Sequence, residues 1–158
     1  VHYYVDGYNF LFRICQKGDP LEKRRDRLID LLNEELGFLK GRCSLVFDSS
    51  EQIRDCPQCA FLENLEVIFT PRGLNADKYI LEMVEYSSNP KALTVVTSDN
   101  DLGRQCRHLG SLVMTIEAFI AFILKKTRKK GESKPTQVNT KAEIERLRRI
   151  FEDGLDGN

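Results

Sequence analysis

Short apolar runs rich in β-branched residues recur along the chain: His2 to Asp6, Cys43 to Asp48, Leu65 to Thr70, Ala92 to Thr97 and Ser111 to Ile116, each bounded by turn residues. Runs of that length and composition predict buried strands. Between the first two, Leu21, Leu28, Leu31, Leu32, Leu36 and Leu39 fall at helical spacing among charged residues, which predicts one long amphipathic helix from Pro20 to Lys40. Further helices are predicted over 76–86, 99–109 and 117–125. Strands alternating with helices imply a parallel sheet covered on both faces. From Lys125 to Lys141 the apolar periodicity is lost, which marks a linker or an irregular arm, and it resumes over 142–151 with Ile144, Leu147 and Phe151. The expected organisation is a globular domain over 1–125 followed by a basic arm and a C-terminal helix over 126–158.

With 158 residues, 41% of them hydrophobic, the chain suits one ordinary core, and a disordered acidic or collagen-like polymer is excluded. Lys plus Arg (24) balances Asp plus Glu (24), so contacts with nucleic acid must come from local clustering. One such cluster exists: Lys125, Lys126, Arg128, Lys129, Lys130 and Lys134 stand against Glu132 alone. It is either a solvated helix end or an arm that follows a phosphate backbone. No run is long enough to span a membrane, and VHYYVDGYNF lacks the layout of a signal peptide, so a cytoplasmic protein with no membrane partner is expected.

Five cysteines (Cys15, Cys43, Cys56, Cys59, Cys106) are scattered and odd in number, unlike a secreted disulfide framework. Cys56-Pro57-Gln58-Cys59 is half of a zinc motif, and the only histidines are His2 and His108. The pair is expected to be two loop thiols.

Parallel sheets bind ligands outside the carboxyl ends of their strands, near the point where strand order reverses. Here those ends are acidic: Asp6 and Asp48 end the first and second strands, Asp77 opens the helix after the third, and Asp99 and Asp101 follow the fourth. Each alone could be a turn residue or a helix cap, as could Asn75 and Ser98. Gathered at one end of a sheet they form a different object. Two carboxylates about 5 Å apart repel by about 3 kcal/mol at an effective dielectric near 20, and such a group needs a proton or a divalent cation. Oxygen ligands without histidine suit Mg²⁺ or Mn²⁺, which can activate water for attack on a phosphodiester.

Asp6-Gly7-Tyr8-Asn9, Arg25-Asp26-Arg27-Leu28-Ile29-Asp30, Val46-Phe47-Asp48, Ala76-Asp77-Lys78-Tyr79-Ile80 and Val96-Thr97-Ser98-Asp99 follow the order seen in YacP-like proteins of the NYN domain family, which belongs to the PIN-like nucleases. The resemblance covers residues 3 to about 125. It implies an α/β fold, a PIN-like three-layer α/β/α sandwich with a parallel five-stranded sheet of order 3-2-1-4-5, in which the first and fourth strands are neighbours. It also implies a metal-dependent endoribonuclease, with Asp6, Asp77, Asp99 and Asp101 as the acidic metal-binding set, Asn9 orienting a ligand or water, and Asp48 as a further member on the opposite flank. Two departures stand out. Such proteins often carry a Glu where this chain has Leu81, with Glu82 one position on and about 100° around the helix. Asp101 is closer to the Ser-Gly-Asp-Gly-Asp of other NYN branches.

Candidate RNA contacts are Arg13, Arg54, Arg72, Lys78 and Arg104, joined by Lys125, Lys126, Lys129 and Lys130 of the arm, and Tyr8 is placed either to stack on a base or to pack beside its turn. Neither histidine is placed to act as a general base. A dehalogenase-like phosphatase would need a second aspartate shortly after Asp6, a response-regulator receiver an acidic pair there, and nucleotide-driven chemistry a glycine-rich phosphate loop, and none occurs. A flap-endonuclease-like enzyme would need an inserted helical clamp for which the chain has no room. The remaining alternative to an RNA-cleaving enzyme is a non-catalytic RNA- or ribosome-binding module on the same fold.

Overall fold

The computed structural model describes residues 1–14, 19–49 and 57–131. Six strands, β1 (His2–Asp6), β2 (Arg42–Phe47), β3 (Gln58–Phe61), β4 (Glu66–Phe69), β5 (Leu93–Val96) and β6 (Leu112–Met114), form one sheet in the order β3-β4-β2-β1-β5-β6. Five helices accompany them: α1 (Gly7–Ile14), α2 (Leu21–Glu35), α3 (Ala76–Tyr86), α4 (Asn100–His108) and α5 (Ile116–Gly131). β1 lies between β2 and β5, and Val5 pairs with Leu45 on one side and Val96 on the other.

The alternation of side chains along each strand divides the core into two layers. Val5, Leu45, Phe47, Val67 and Val96 face α1, α2 and α5, whose buried residues include Phe10, Leu11, Leu28, Leu32, Phe119 and Ile120. Tyr4, Val46, Ile68 and Val95 face α3 and α4 through Tyr79, Ile80, Val84, Leu102 and Cys106. Helices on both faces of a parallel sheet make the expected three-layer sandwich. Among the described residues, no helix is long and apolar enough to cross a membrane.

The sheet departs from the expected five strands by one. β4, β2, β1, β5 and β6 are parallel neighbours in the order predicted, and β3 adds an antiparallel sixth along the β4 edge. β3 escaped the hydrophobic pattern because an edge strand is held by backbone pairing with little burial, and Cys59, Ala60 and Phe61 are all exposed. Cys59 is thus a free thiol on a strand rather than in a loop.

α1 is not among the expected helices, although Phe10, Leu11 and Ile14 stand at helical spacing after Gly7. Gly7, Tyr8 and Asn9 favour turns, and the helix forms because Phe10, Leu11 and Ile14 bury against the sheet. Gly7 permits the close approach, since a Cβ there would lie 2.5 Å from the Phe47 ring and 2.8 Å from the Val46 carbonyl. The helix expected to reach Lys40 ends at Glu35 and tightens into a 3₁₀ turn over Leu36–Phe38. Conversely α5 continues through the expected boundary at residue 125 to Gly131, so the first part of the basic arm is helical. Cys15, Arg54, Cys56, Lys134 and the helix expected over 142–151 lie outside the described residues.

Candidate active site

Of the helices that begin at the carboxyl edge of the sheet, α1, α3 and α4 each have an aspartate at or beside their first turn. Asp6 ends β1 directly before α1, and its carboxylate accepts the backbone N–H of Asn9. Asp99 leaves β5 and caps α4, accepting from the backbone N–H groups of Asp101 (2.9 Å) and Leu102 (3.3 Å). Asp77 sits in the first turn of α3, which follows a turn at Gly73, with φ at +79°, and is capped by Asn75 through the backbone N–H of Lys78 at 2.9 Å. Asp48, just past β2, accepts from the backbone N–H of Ala76, the first residue of α3. Every one of these side chains serves or adjoins a helix N-terminus, whose partial positive charge moderates the crowding of acids.

Capping does not keep them apart. When protonated, Asp6 donates to Asp77, and Asp77 donates to Asp99, so the three carboxyl groups form a string across β1, α3 and β5. Asp6 is buried, and its pKa is pushed up to about 7, first by burial, then by the charge of Asp77, with Asp48 adding to it and the Asn9 N–H opposing. The Asp77 carboxyl is also raised, first by burial and next by the charge of Asp99, while its hydrogen bond from Asp6 works the other way.

A second network ties this edge together. Asn9 Oδ1 accepts the backbone N–H of Ser98 at 3.0 Å, and Ser98 Oγ donates to Glu117 at 3.2 Å. Glu117, in the first turn of α5, forms an ion pair with Arg13 at 2.5 Å. Sequence reasoning took Ser98 only as a possible helix cap and passed over Glu117, although Glu117 follows the last strand at the same edge as the chosen aspartates and the rule that found those applies equally to it.

Two expected members are engaged by other partners. Asp101 is exposed and paired with Arg104, three residues on in α4, rather than joined to the Asp6, Asp77 and Asp99 string. Arg13 is engaged by Glu117. Arg72, Lys78, Lys125 and Lys126 are exposed, and Lys129 and Lys130 lie near the end of α5. Leu81 packs, partly buried, against the α3/α4 core layer, while Glu82 is exposed. His2 lies at the far end of β1, 2.7 Å from Ser44 Oγ.

Among the described residues, no group of three or more His, Cys, Asp or Glu side chains is gathered so as to hold a metal ion. The donors instead meet in pairs bridged by a proton, a contact that a cation can take over. Mg²⁺ keeps most of its waters and takes only one or two carboxylates from a protein, so an all-oxygen string of this kind fits it in donor chemistry.

The YacP-like NYN domain family model matches residues 3–156. Among solved structures, the crystal structure of Rae1 (YacP) from Bacillus subtilis in a tryptophan-to-leucine variant is similar at 22% identity and a TM-score of 0.61, over 98% of this chain and 99% of that one. A second crystal structure of Rae1 from the same organism matches at 21% identity and a TM-score of 0.60, over 99% of this chain and 85% of that one. No curated protein matches the chain significantly.

Proposed function

The chain belongs to the YacP-like NYN domain family, a nuclease-like domain, and from that membership together with the hydrogen-bonded carboxylate string we propose that it is an endoribonuclease dependent on Mg²⁺ or Mn²⁺. The observation that carries this proposal is the contact of Asp6 with Asp77 and of Asp77 with Asp99 at the carboxyl edge of the sheet. Burial and the charges of Asp77 and Asp48 push the Asp6 carboxyl up to about 7, and groups raised in this way by burial and specific charge partners cluster at working sites.

In this proposal Asp6, Asp77 and Asp99 hold the ion directly or through water, with Asp48 close enough to add its charge. A bound divalent ion supplies an activated water and stabilises the departing oxygen of the phosphodiester. Asn9 acts as a positioning residue by fixing the Ser98-Asp99 turn relative to Asp6. Asp6 and Asp77 must lose their shared protons before they bind a cation. Asp101 has at most an outer role, through Arg104. Arg72, Lys78 and Arg104 flank the acids and give RNA phosphates their contacts, with Lys125, Lys126, Lys129 and Lys130 extending the track. The proposed compartment is the cytoplasm, where the free thiols Cys43, Cys59 and Cys106 stay reduced.

One observation favours the second reading, a non-catalytic RNA- or ribosome-binding module: Leu81 gives α3 an apolar residue at a position where relatives often carry an acid. Titrating Mn²⁺ into the protein with a mixed RNA pool separates the two. Cleavage that rises with Mn²⁺ and is lost in Asp6→Asn supports the enzyme. Binding of the pool without cleavage at any Mn²⁺ concentration supports the module.

A further inference from the structure

Along α1, which follows Asp6 directly, and the strand ends beside it lies a set of rings that the proposed chemistry leaves without a role. Tyr8 and Phe12 stand four residues apart on α1, hence on one face, with ring centroids 6.0 Å apart and planes at 18°. Phe12 is 50% exposed, although α1 buries Gly7, Phe10, Leu11 and Ile14 on its inner side. The Tyr8 ring meets Phe47 edge-on at 4.9 Å, and Phe47 stacks on Phe69 at 5.9 Å. Phe47 and Phe69 are the last residues of β2 and β4, so the rings run along the same carboxyl edge as the acids.

Arg25 of α2 backs this ladder. Its guanidinium carbon is 5.1 Å from the centre of the Phe69 ring, and Nη1 donates to the Tyr8 hydroxyl at 3.4 Å. Its Nε is buried without a hydrogen-bond partner, Asp26 Oδ1 being 3.8 Å away. The start of α2 is itself unusual in charge: Lys23, Arg24, Arg25 and Arg27 occupy its first two turns, where the helix dipole disfavours cations. Asp19, just before the helix, engages Arg24 through its backbone carbonyl at 3.0 Å and Arg27 through its carboxylate at 3.9 Å, which leaves Arg25 as the cation turned to the rings.

A lone exposed phenylalanine is ordinary. One stacked on a tyrosine, backed by arginine and next to a phosphodiester site, has the composition that binds unpaired bases, since every base offers a π face and paired bases do not expose theirs. We propose that Tyr8 and Phe12, supported by Arg25, form a stacking subsite for a base of single-stranded RNA beside the phosphate presented to Asp6, Asp77 and Asp99. The inference rests on the endoribonuclease reading and adds a base-contacting subsite, made by Tyr8 and Phe12, to that site. At 1.5 Å per residue Phe12 lies about 9 Å along α1 from Asp6, within reach of a neighbouring nucleotide.

The test measures binding of a labelled oligoadenylate, and of an abasic oligonucleotide of equal length, by fluorescence anisotropy in Ca²⁺, which often permits binding without cutting. Wild type, Phe12→Ala and Phe12→Tyr are compared, with circular dichroism confirming the fold of each. Phe12→Ala should weaken oligoadenylate binding about tenfold, within the range for one stacked base, leave abasic binding unchanged, and be rescued by Phe12→Tyr. Equal affinity of wild type and Phe12→Ala for oligoadenylate, or an equal loss on both probes, overturns the stacking subsite while Mn²⁺-dependent cleavage by the wild type keeps the enzyme reading. A wild type that neither binds nor cuts RNA overturns both.

Discussion

The backbone N–H of Ser98 donates to Asn9 Oδ1 at 3.0 Å, joining the first helix to a turn 89 positions away. Asn9 also donates its own backbone N–H to Asp6, and Ser98 immediately precedes Asp99, so one residue sets the distance between two acids. Asn9→Ala leaves the half-buried Ser98 N–H without its acceptor and should cost about 1–3 kcal/mol. RNA cleavage should fall while the affinity measured in Ca²⁺ changes little. A variant with wild-type turnover would remove Asn9 from the site.

Asp6→Asn keeps shape and hydrogen-bonding capacity while deleting a charge from the carboxylate string. Cleavage in Mn²⁺ should disappear, and the metal-free melting temperature should hold or rise, because repulsion among acids is relieved. Cleavage at the wild-type rate by a pure preparation would refute the catalytic assignment.

The raised pKa of Asp6, about 7 against the ordinary 3.8, fixes the sign of a pH effect. Between those values the folded protein holds a proton that the unfolded chain has lost, so this group's contribution to stability falls as pH rises from about 4 to about 7 and is fully unfavourable above that. Asp77, also raised, adds in the same direction. His2, whose pKa burial lowers, acts oppositely as pH drops through its ordinary 6.5, so the measurement is the melting temperature of wild type minus that of Asp6→Asn. That difference should become more negative from pH 5 to pH 8 in metal-free buffer, and Mn²⁺ should raise the wild type more at pH 8 than at pH 5. A difference independent of pH would contradict the buried carboxyl string.

The helical part of the basic arm should bind phosphates without touching the acids. Changing Lys125, Lys126, Lys129 and Lys130 to Gln should weaken RNA affinity and flatten its salt dependence by roughly 0.7 for each phosphate no longer neutralised, the value for single strands. The check is a salt series in Ca²⁺ for both proteins. Superimposable slopes would leave these lysines as solvated surface and return RNA binding to Arg72, Lys78 and Arg104.

The sequence by itself determined the sandwich and its parallel core. Strands such as β2 and β5, buried on both faces, are written as apolar runs interrupted only by small hydroxyl residues, Ser44 and Thr94, after Arg42 at the start of β2, and α3 carries a helical period, because burial on a regular element imposes a regular pattern. It also marked Asp6, Asp77 and Asp99, since strand ends in such a sheet share one edge. Tertiary structure alone decided the rest. β3 owes its existence to backbone pairing with β4, an interaction that leaves no period in its own residues; α1 does carry a helical period at Phe10, Leu11 and Ile14, but one too short to stand out until the fold buries it. Asp99 and Asp101 are two positions apart, yet the first caps α4 and the second lies about 200° further around it, so only Asp99 joins the string while Asp101 turns to Arg104. Glu117 meets Arg13 and Ser98 because β6 delivers α5 to the same edge, and the Asp6 carboxyl is raised first by its burial and then by the charge of Asp77, both of which the fold supplies.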